Sequence, residues 1–275
     1  MKKILSTVFI CTIAAIATAQ LKVPAPSPTQ TIKQDFGLSS MELIYSRPAM
    51  KGRKIFGDLV PWSKVWRTGA NNATRLKFND DVMIGGKALK AGEYALYTIP
   101  GENEWDIIIN KGSANWGTNY KQEDDVLRIK AKPMKLNDKV ETFTIQFANL
   151  QPTSADLHIM WDKTAVAIPI TTEIDKKIMA QINDAMNKDS RPYFQSAMYY
   201  METGKDMNQA LQWFDKGIEL NPKAFWMYHQ KANALAKLGK KDEAKAVALK
   251  SIELAREAKN DDYVRLNEKL IVELK

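Results

Sequence analysis

The hydrophobic spacing of this chain changes period once, near Thr171, and that change is the strongest constraint on what it can fold into. Before it, apolar residues alternate. Met41, Leu43 and Tyr45 share one parity, as do Trp105, Ile107 and Ile109, and Phe143, Ile145 and Phe147. Leu157, Ile159 and Trp161 precede a turn-like Asp162-Lys163, and Val166, Ile168 and Ile170 follow it. A period of two places such side chains on one covered face of a strand. Gly85-Gly86 and Pro100-Gly101 punctuate the runs. About eight short strands with no helical pattern between them predict an antiparallel β-sandwich or jelly-roll-like domain over residues 31–171.

After Thr171 the period is helical. In "TTEIDKKIMAQINDAM", Thr172 is placed to cap a helix, and Ile174, Ile178 and Ile182 fall on one face. A repeat follows. Gly217-Ile218-Glu219-Leu220 returns 34 residues later as Ser251-Ile252-Glu253-Leu254, and Ala210 returns as Ala244. With Phe194, Phe214 and Pro222 in the first copy, and Tyr228, Ala232, Leu235 and Gly239 in the second, the pattern resembles tetratricopeptide repeats. The helical domain is therefore set at 172–275, with repeats over about 191–222 and 225–258 and a capping helix over Tyr263–Leu274. Arg256 stands where the closing proline would be, so the second helix of that copy is expected to run on. Two copies are fewer than usually stand alone, so the Thr172 helix or the β domain is expected to cover an exposed face.

The N-terminus addresses compartment. Lys2 and Lys3, an apolar run from Ile4 to Ile16, and Ala17-Thr18-Ala19 form a secretory signal over 1–19, with cleavage before Gln20. "QLKVPAPSPTQ" (20–30) reads as a proline-rich tether. The single cysteine, Cys11, falls in the signal, so neither disulfides nor thiolate chemistry are expected after processing. No later apolar run has the length of a membrane helix. The formal charge of +8, two units of it from Lys2 and Lys3, is mild and evenly spread. An exported chain of that kind is not expected to bind nucleic acid.

The densest chemistry lies in "GRKIFGDLVPWSKVWRTGANNAT" (52–74), where Arg53, Lys54, Lys64 and Arg67 face a single acid, Asp58. One reading is structural. Gly, Pro and Asn make turns, Ile55, Phe56, Leu59, Val60 and Val65 plug the sandwich, and Trp62 and Trp66, four apart, sit on one helical turn. The other is a binding site. Arg67 offers a planar fork for carboxylate or phosphate, with Arg47 and Arg53 nearby in sequence. Trp62 and Trp66 offer stacking faces, and Asn71 and Asn72 suit hydroxyl groups. That set predicts an anionic or glycan-like ligand.

"YSRPAMKGRKIFGDLVP" (45–61), "VWRTGANNAT" (65–74), "AGEYALYTIPG" (91–101), Trp105 with "IIINK" (107–111) and Trp116-Gly117 together resemble DUF2911, a family of exported bacterial proteins of unknown function. The resemblance spans about residues 31–170. It implies a secreted β domain without an assigned activity, in some members followed by tetratricopeptide repeats. An acidic residue is frequent in that family where this chain has Asn72, which speaks against a catalytic carboxylate there.

Other chemistry finds little support. His158 and His229 are the only histidines, and neither sits in a metal-binding spacing. Glu123-Asp124-Asp125 reads as a solvated turn and not a calcium loop. No nucleophile elbow, phosphate loop or dinucleotide fingerprint occurs, and no metal or cofactor is expected. Three functions remain: a non-enzymatic module whose β domain binds a ligand and whose repeats bind a protein; a scaffold acting through the repeats alone; and an envelope-glycan hydrolase or lyase.

Overall fold

A computed structural model describes residues 23–112, 119–186 and 191–274. The signal over 1–19 and the Trp116-Gly117 pair lie outside the described residues. The chain divides into two compact units, with the boundary between Glu173 and Ile174.

The first unit is a sandwich of two antiparallel sheets. Strands β1 (Thr29–Phe36), β2 (Ser39–Ser46), β3 (Thr74–Phe78), β6 (Gly92–Ile99), β7 (Trp105–Asn110) and β8 (Asp125–Ala131) form one sheet in the order β1-β2-β3-β6-β7-β8. Strands β4 (Val82–Ile84), β5 (Lys87–Leu89), β9 (Met134–Ala148) and β10 (Ser154–Thr171) form the other in the order β5-β4-β10-β9. The alternating residues behave as their period dictates. Leu43, Ile107 and Ile109 from the first sheet and Ile145, Leu157 and Ile168 from the second are fully buried in one shared core. The β4–β5 hairpin turns on Gly85 and Gly86 (φ 55° and 79°), a pair of left-handed residues that only glycine adopts cheaply.

Asp162-Lys163 does not end a strand. β10 runs through it with a register shift on each side of Asp162, whose φ is 50°. A bulge absorbs the polar pair and keeps the flanking apolar residues pointing inward. Ile108, opposite in parity to Ile107, is also fully buried, because Tyr97, Ala95 and Tyr120 cover the outer face of the first sheet there.

Between β2 and β3, residues 47–73 contain neither helix nor named strand. Three isolated bridges pin them: Ala49 to Thr142, Phe56 to Val60 and Trp66 to Thr98. The expected helical turn at Trp62–Trp66 does not form. Ser63 and Thr68 take left-handed φ values of 58° and 55°, and Trp66 exchanges both backbone hydrogen bonds with Thr98 (2.7 and 2.9 Å). Ile55, Phe56, Val60 and Trp66 join the main core, so the segment closes the sandwich.

The second unit is helical, with α1 (Asp175–Met186), α2 (Tyr193–Glu202), α3 (Met207–Leu220), α4 (Phe225–Lys237), α5 (Lys241–Glu257) and α6 (Asp261–Glu273). The helix pairs α2–α3 and α4–α5 are the two repeats. Ala197, Ala210, Ala232 and Ala244 are fully buried, and Phe214 fills space between helices. Gly217 lets helices approach: a Cβ there would sit 3.1 Å from the Met227 sulfur. α5 runs three residues past the point matching Leu220 at the end of α3, in keeping with Arg256 in place of proline. Asp206 caps α3 by accepting from the Asn208 and Gln209 amides. Asp175 of α1 accepts from the Tyr199 hydroxyl (2.7 Å) and pairs with Lys205 (2.6 Å), which fastens α1 to the first repeat.

Candidate functional site

The segment 47–73 forms one wall of a cavity of about 470 Å3 in the β unit. That volume lies in the range of pockets that hold small molecules, roughly 300–1,000 Å3. Lys51, Arg53 and Arg67 supply its charge, and among the described residues no acidic side chain lines it. Its apolar walls are Pro26, Pro48, Leu59 and Val60, and Trp66 and Trp161 close its inner side. The two indoles stack with centroids 6.0 Å apart and planes 14° from parallel. Both indole N–H groups are committed, Trp66 to the Gly69 carbonyl (3.1 Å) and Trp161 to the Glu141 carbonyl (3.2 Å).

Of the seven residues singled out from sequence, the structure brings three to this cavity: Arg53, Trp66 and Arg67. The other four lie elsewhere. Arg47 donates from Nε to the Phe143 carbonyl (3.1 Å) and from Nη2 to Thr144 Oγ1 (2.9 Å), clamping the segment to β9. Trp62 stacks on Phe56 (5.7 Å, 19°) against the core. Asn71 and Asn72 line a second, smaller cavity of about 210 Å3 with Thr29, Tyr45, Ser46 and Arg75. Asn71 donates there to Ser46 Oγ (3.2 Å) and to the Ser27 carbonyl (3.3 Å), and its left-handed φ of 58° makes it a turn residue.

The three cations are not equivalent. Arg53 is folded back on its own loop, with Nε on the Met50 carbonyl (2.9 Å) and Nη2 on the Ala49 carbonyl (2.6 Å). Lys51 is exposed, and the Glu141 carboxylate near it accepts from its backbone amide (2.8 Å). Arg67 is half-buried. Its Nε is out of water with no hydrogen-bond partner, and its guanidinium meets no carboxylate among the described residues. Such groups normally find a partner, so an orphan of this kind calls for an explanation.

The next residue adds a second oddity. Thr68 is β-branched yet left-handed, at φ 55° and with no exposed surface. It is held by its Oγ1, which donates to the Trp66 carbonyl (3.3 Å) and so accepts from Thr98 Oγ1 (3.1 Å). Backbone strain of this kind persists only where the surroundings over-determine it, and it clusters at functional sites.

A family model described as protein of unknown function, DUF2911, matches residues 27–170, the whole sandwich. The chain belongs to the DUF2911 family. A tetratricopeptide-repeat model matches 190–224 and 227–257, the two helix pairs. A comparison with curated proteins gives no match. The family description assigns no activity to the DUF2911 domain, while the repeats mark a protein-interaction module.

Sequence reasoning missed Lys51, which stands one residue outside the stretch it weighed, and Trp161, which reaches the DUF2911 cavity from β10. It also misread Asp125. That carboxylate is not a solvated turn but the anchor of a network, accepting from Asn110 Nδ2 (2.9 Å), the Tyr120 hydroxyl (2.8 Å) and Arg128 Nε (3.0 Å). Burial raises the Tyr120 and Tyr97 phenols above their ordinary value, and the hydrogen bond to Asp125 adds to the effect at Tyr120.

His158 stands 3.9 Å from Asp156, and His229 is buried in the repeat unit. His229 Nδ1 meets Asn267 Oδ1 at 2.9 Å, while Asn267 Nδ2 donates to Ser251 Oγ (2.9 Å) and the Tyr263 carbonyl (2.6 Å). Because the amide nitrogen of Asn267 is the donor, His229 must carry its proton on Nδ1, leaving Nε2 to accept from Asn233 (3.1 Å). Among the described residues no group of three or more His, Cys, Asp or Glu is placed to hold a metal.

Proposed function

We propose that this chain is an exported, non-catalytic binding module: the DUF2911 cavity takes an anionic ligand, and the tetratricopeptide repeats hold a protein partner. The observation that carries the ligand half is Arg67, a half-buried cation at a cavity wall whose guanidinium meets no carboxylate among the described residues. A charge left uncompensated by the fold is one that a ligand can compensate. Lys51 and Arg53 add a field of the same sign. Among the described residues neither carboxylate nor imidazole lines the cavity, so the lining gives the hydrolase reading no acid–base pair as support. The signal features from Lys2 to Ala19 support export. Among the described residues no helix is long and apolar enough to cross a membrane.

A scaffold reading keeps support from Arg47 and Trp62, both committed to packing. One experiment separates the two. The chain from Gln20 is heated alone and with a panel of small anions, beside Arg67→Gln. An anion at about a hundred times its dissociation constant adds roughly 2.7 kcal/mol of stability. A shift in the parent that vanishes in folded Arg67→Gln supports the ligand site. No shift with any anion leaves the repeats as the working surface.

A further inference from the structure

We infer that the anion taken by the Arg67 cavity is a single carboxylate carried on an apolar body, and neither a glycan nor a phosphate ester. This rests on the ligand-site reading above and narrows it.

Few polar side chains line the cavity among the described residues. Of the side chains lining it, Arg67 alone has a planar fork that no described residue occupies. Arg53 has committed Nε and Nη2 to the Met50 and Ala49 carbonyls, so it contributes charge at the rim and not a second fork. Lys51 is an exposed point charge. One fork matches the two oxygens of one carboxylate. A phosphate monoester brings nearly two charges and three acceptor oxygens, more than one fork and an exposed lysine satisfy.

A sugar fares worse. Its hydroxyls need partners, because polar groups buried without them lose affinity. Ser27 supplies the only side-chain hydroxyl in the lining among the described residues. The indole N–H groups of Trp66 and Trp161 are taken, and both residues are almost wholly buried, so neither offers a broad stacking platform. The hydroxyl-matching pair Asn71 and Asn72 faces the other cavity. Beside a polar share of nearly equal size, the walls offer apolar surface from Pro26, Pro48, Leu59 and Val60. Such a lining rewards a hydrocarbon body behind the charged head.

Two sources present that chemistry: a free organic acid and the C-terminal carboxylate of a hydrophobic peptide. The test is calorimetric titration of the chain from Gln20 with 4-phenylbutyrate, a Leu-Val-Leu-Phe peptide with a free C-terminus, the same peptide amidated, phenyl phosphate and glucuronate. The expected result is binding of 4-phenylbutyrate, the free peptide or both, at least tenfold weaker binding of the amidated peptide, and little of phenyl phosphate or glucuronate. Arg67→Lys keeps the charge but loses the fork, so it is expected to weaken carboxylate binding about tenfold. Arg67→Gln is expected to abolish it, with an unchanged circular dichroism spectrum as the folding control. Binding by the peptide alone assigns the source to a chain terminus, and binding by 4-phenylbutyrate alone to a small acid. Arg67-dependent binding of phenyl phosphate or glucuronate at equal or greater strength overturns this inference and leaves the anion site standing. No binding by any member, with the parent folded, overturns both.

Discussion

Replacing Arg67 with methionine is expected to stabilise the unliganded β unit, and the same change at Arg47 to weaken it. The two arginines flank one loop segment, and sequence gives no reason to separate them. The structure does. Arg67 buries an Nε–H that nothing accepts, a loss of about 1–3 kcal/mol relative to the hydrated group. Methionine keeps most of the apolar stem and removes the orphan, so a net gain of about 1 kcal/mol is expected once the lost hydration of the terminal nitrogens is set against it. Arg47 makes two charge-assisted bonds, to the Phe143 carbonyl and Thr144 Oγ1. Losing both costs about 2–3 kcal/mol. The assay is urea unfolding of the chain from Gln20, with near-ultraviolet circular dichroism following the aromatic residues of both units and the 222 nm signal following chiefly the helices, so that a transition seen only in the first belongs to the sandwich, since two units need not unfold together. With a slope of about 2 kcal/mol/M, Arg67→Met should raise the midpoint by about 0.5 M, and Arg47→Met should lower it by 1 M or more. A fall for Arg67→Met comparable to that for Arg47→Met would refute the reasoning: Arg67 would then be a second loop clamp, and the case for a ligand there would go with it.

Three further outcomes follow from the packing. Trp66→Ala removes an indole in contact with Phe143 (5.1 Å) and Trp161 (6.0 Å) and should cost about 3–5 kcal/mol in the same unfolding assay, a loss under 1 kcal/mol contradicting its place in the core. In the repeat unit, Asn267→Leu strands the Nδ1–H of His229, so a double-mutant cycle with His229→Leu should show at least about 1 kcal/mol of coupling, and nitrogen chemical shifts should report the Nδ1–H tautomer; additivity within 0.5 kcal/mol would count against the network. The Lys205 ammonium, and then the Tyr199 hydroxyl, hold the Asp175 carboxyl below the usual carboxylate range, while burial and Asp175 push Tyr199 up to about 12. A depressed folded pKa gives stability that is present above the unfolded value of about 3.9 and lost as pH falls through the folded one. Acid should therefore loosen α1, seen as lower amide protection over Asp175–Met186 once the intrinsic exchange rate at each pH is divided out, and Asp175→Asn should remove that pH dependence of protection.

The alternation of Met41, Leu43 and Tyr45, or of Phe143 and Ile145, was legible because one covered face forces a period of two, and all five are buried. The 34-residue repeat was legible for a like reason: stacked helix pairs need small residues where axes cross, and Ala210 and Ala244 are those residues. The site was legible only in part. Trp161 lies in β10 and Lys51 before the basic stretch, and only the closure of the sandwich makes them neighbours of Arg67. Trp62 and Asn71 were drawn into the candidate site by chain proximity, but local backbone decides where they point. A left-handed Ser63 follows Trp62, and Asn71 itself is left-handed, so neither follows the direction that spacing suggests. A bulge hid the continuity of β10 for the same reason, since Asp162 reads as a turn when its φ alone is unusual.

The question whether residues 52–74 are a plug or a site has a divided answer, and the division falls between adjacent residues. Trp66 is extended, tied to Thr98 on both sides, and its indole belongs to the core. Arg67 follows and stands at the cavity wall. Thr68 then turns the chain through a conformation that β-branched residues avoid, at a cost of about 1–3 kcal/mol. The fold offsets that cost with the Thr68–Thr98 pair and with Thr74 Oγ1 donating to the Thr68 carbonyl. Plugging the sandwich accounts for Trp66 and for the bonds that hold Thr68. It does not account for a cation left unpaired beside them, since an apolar residue at 67 would serve the plug better. A residue that the fold would be better without, held in place by neighbours that the fold needs, is what a binding function looks like when read from stability alone.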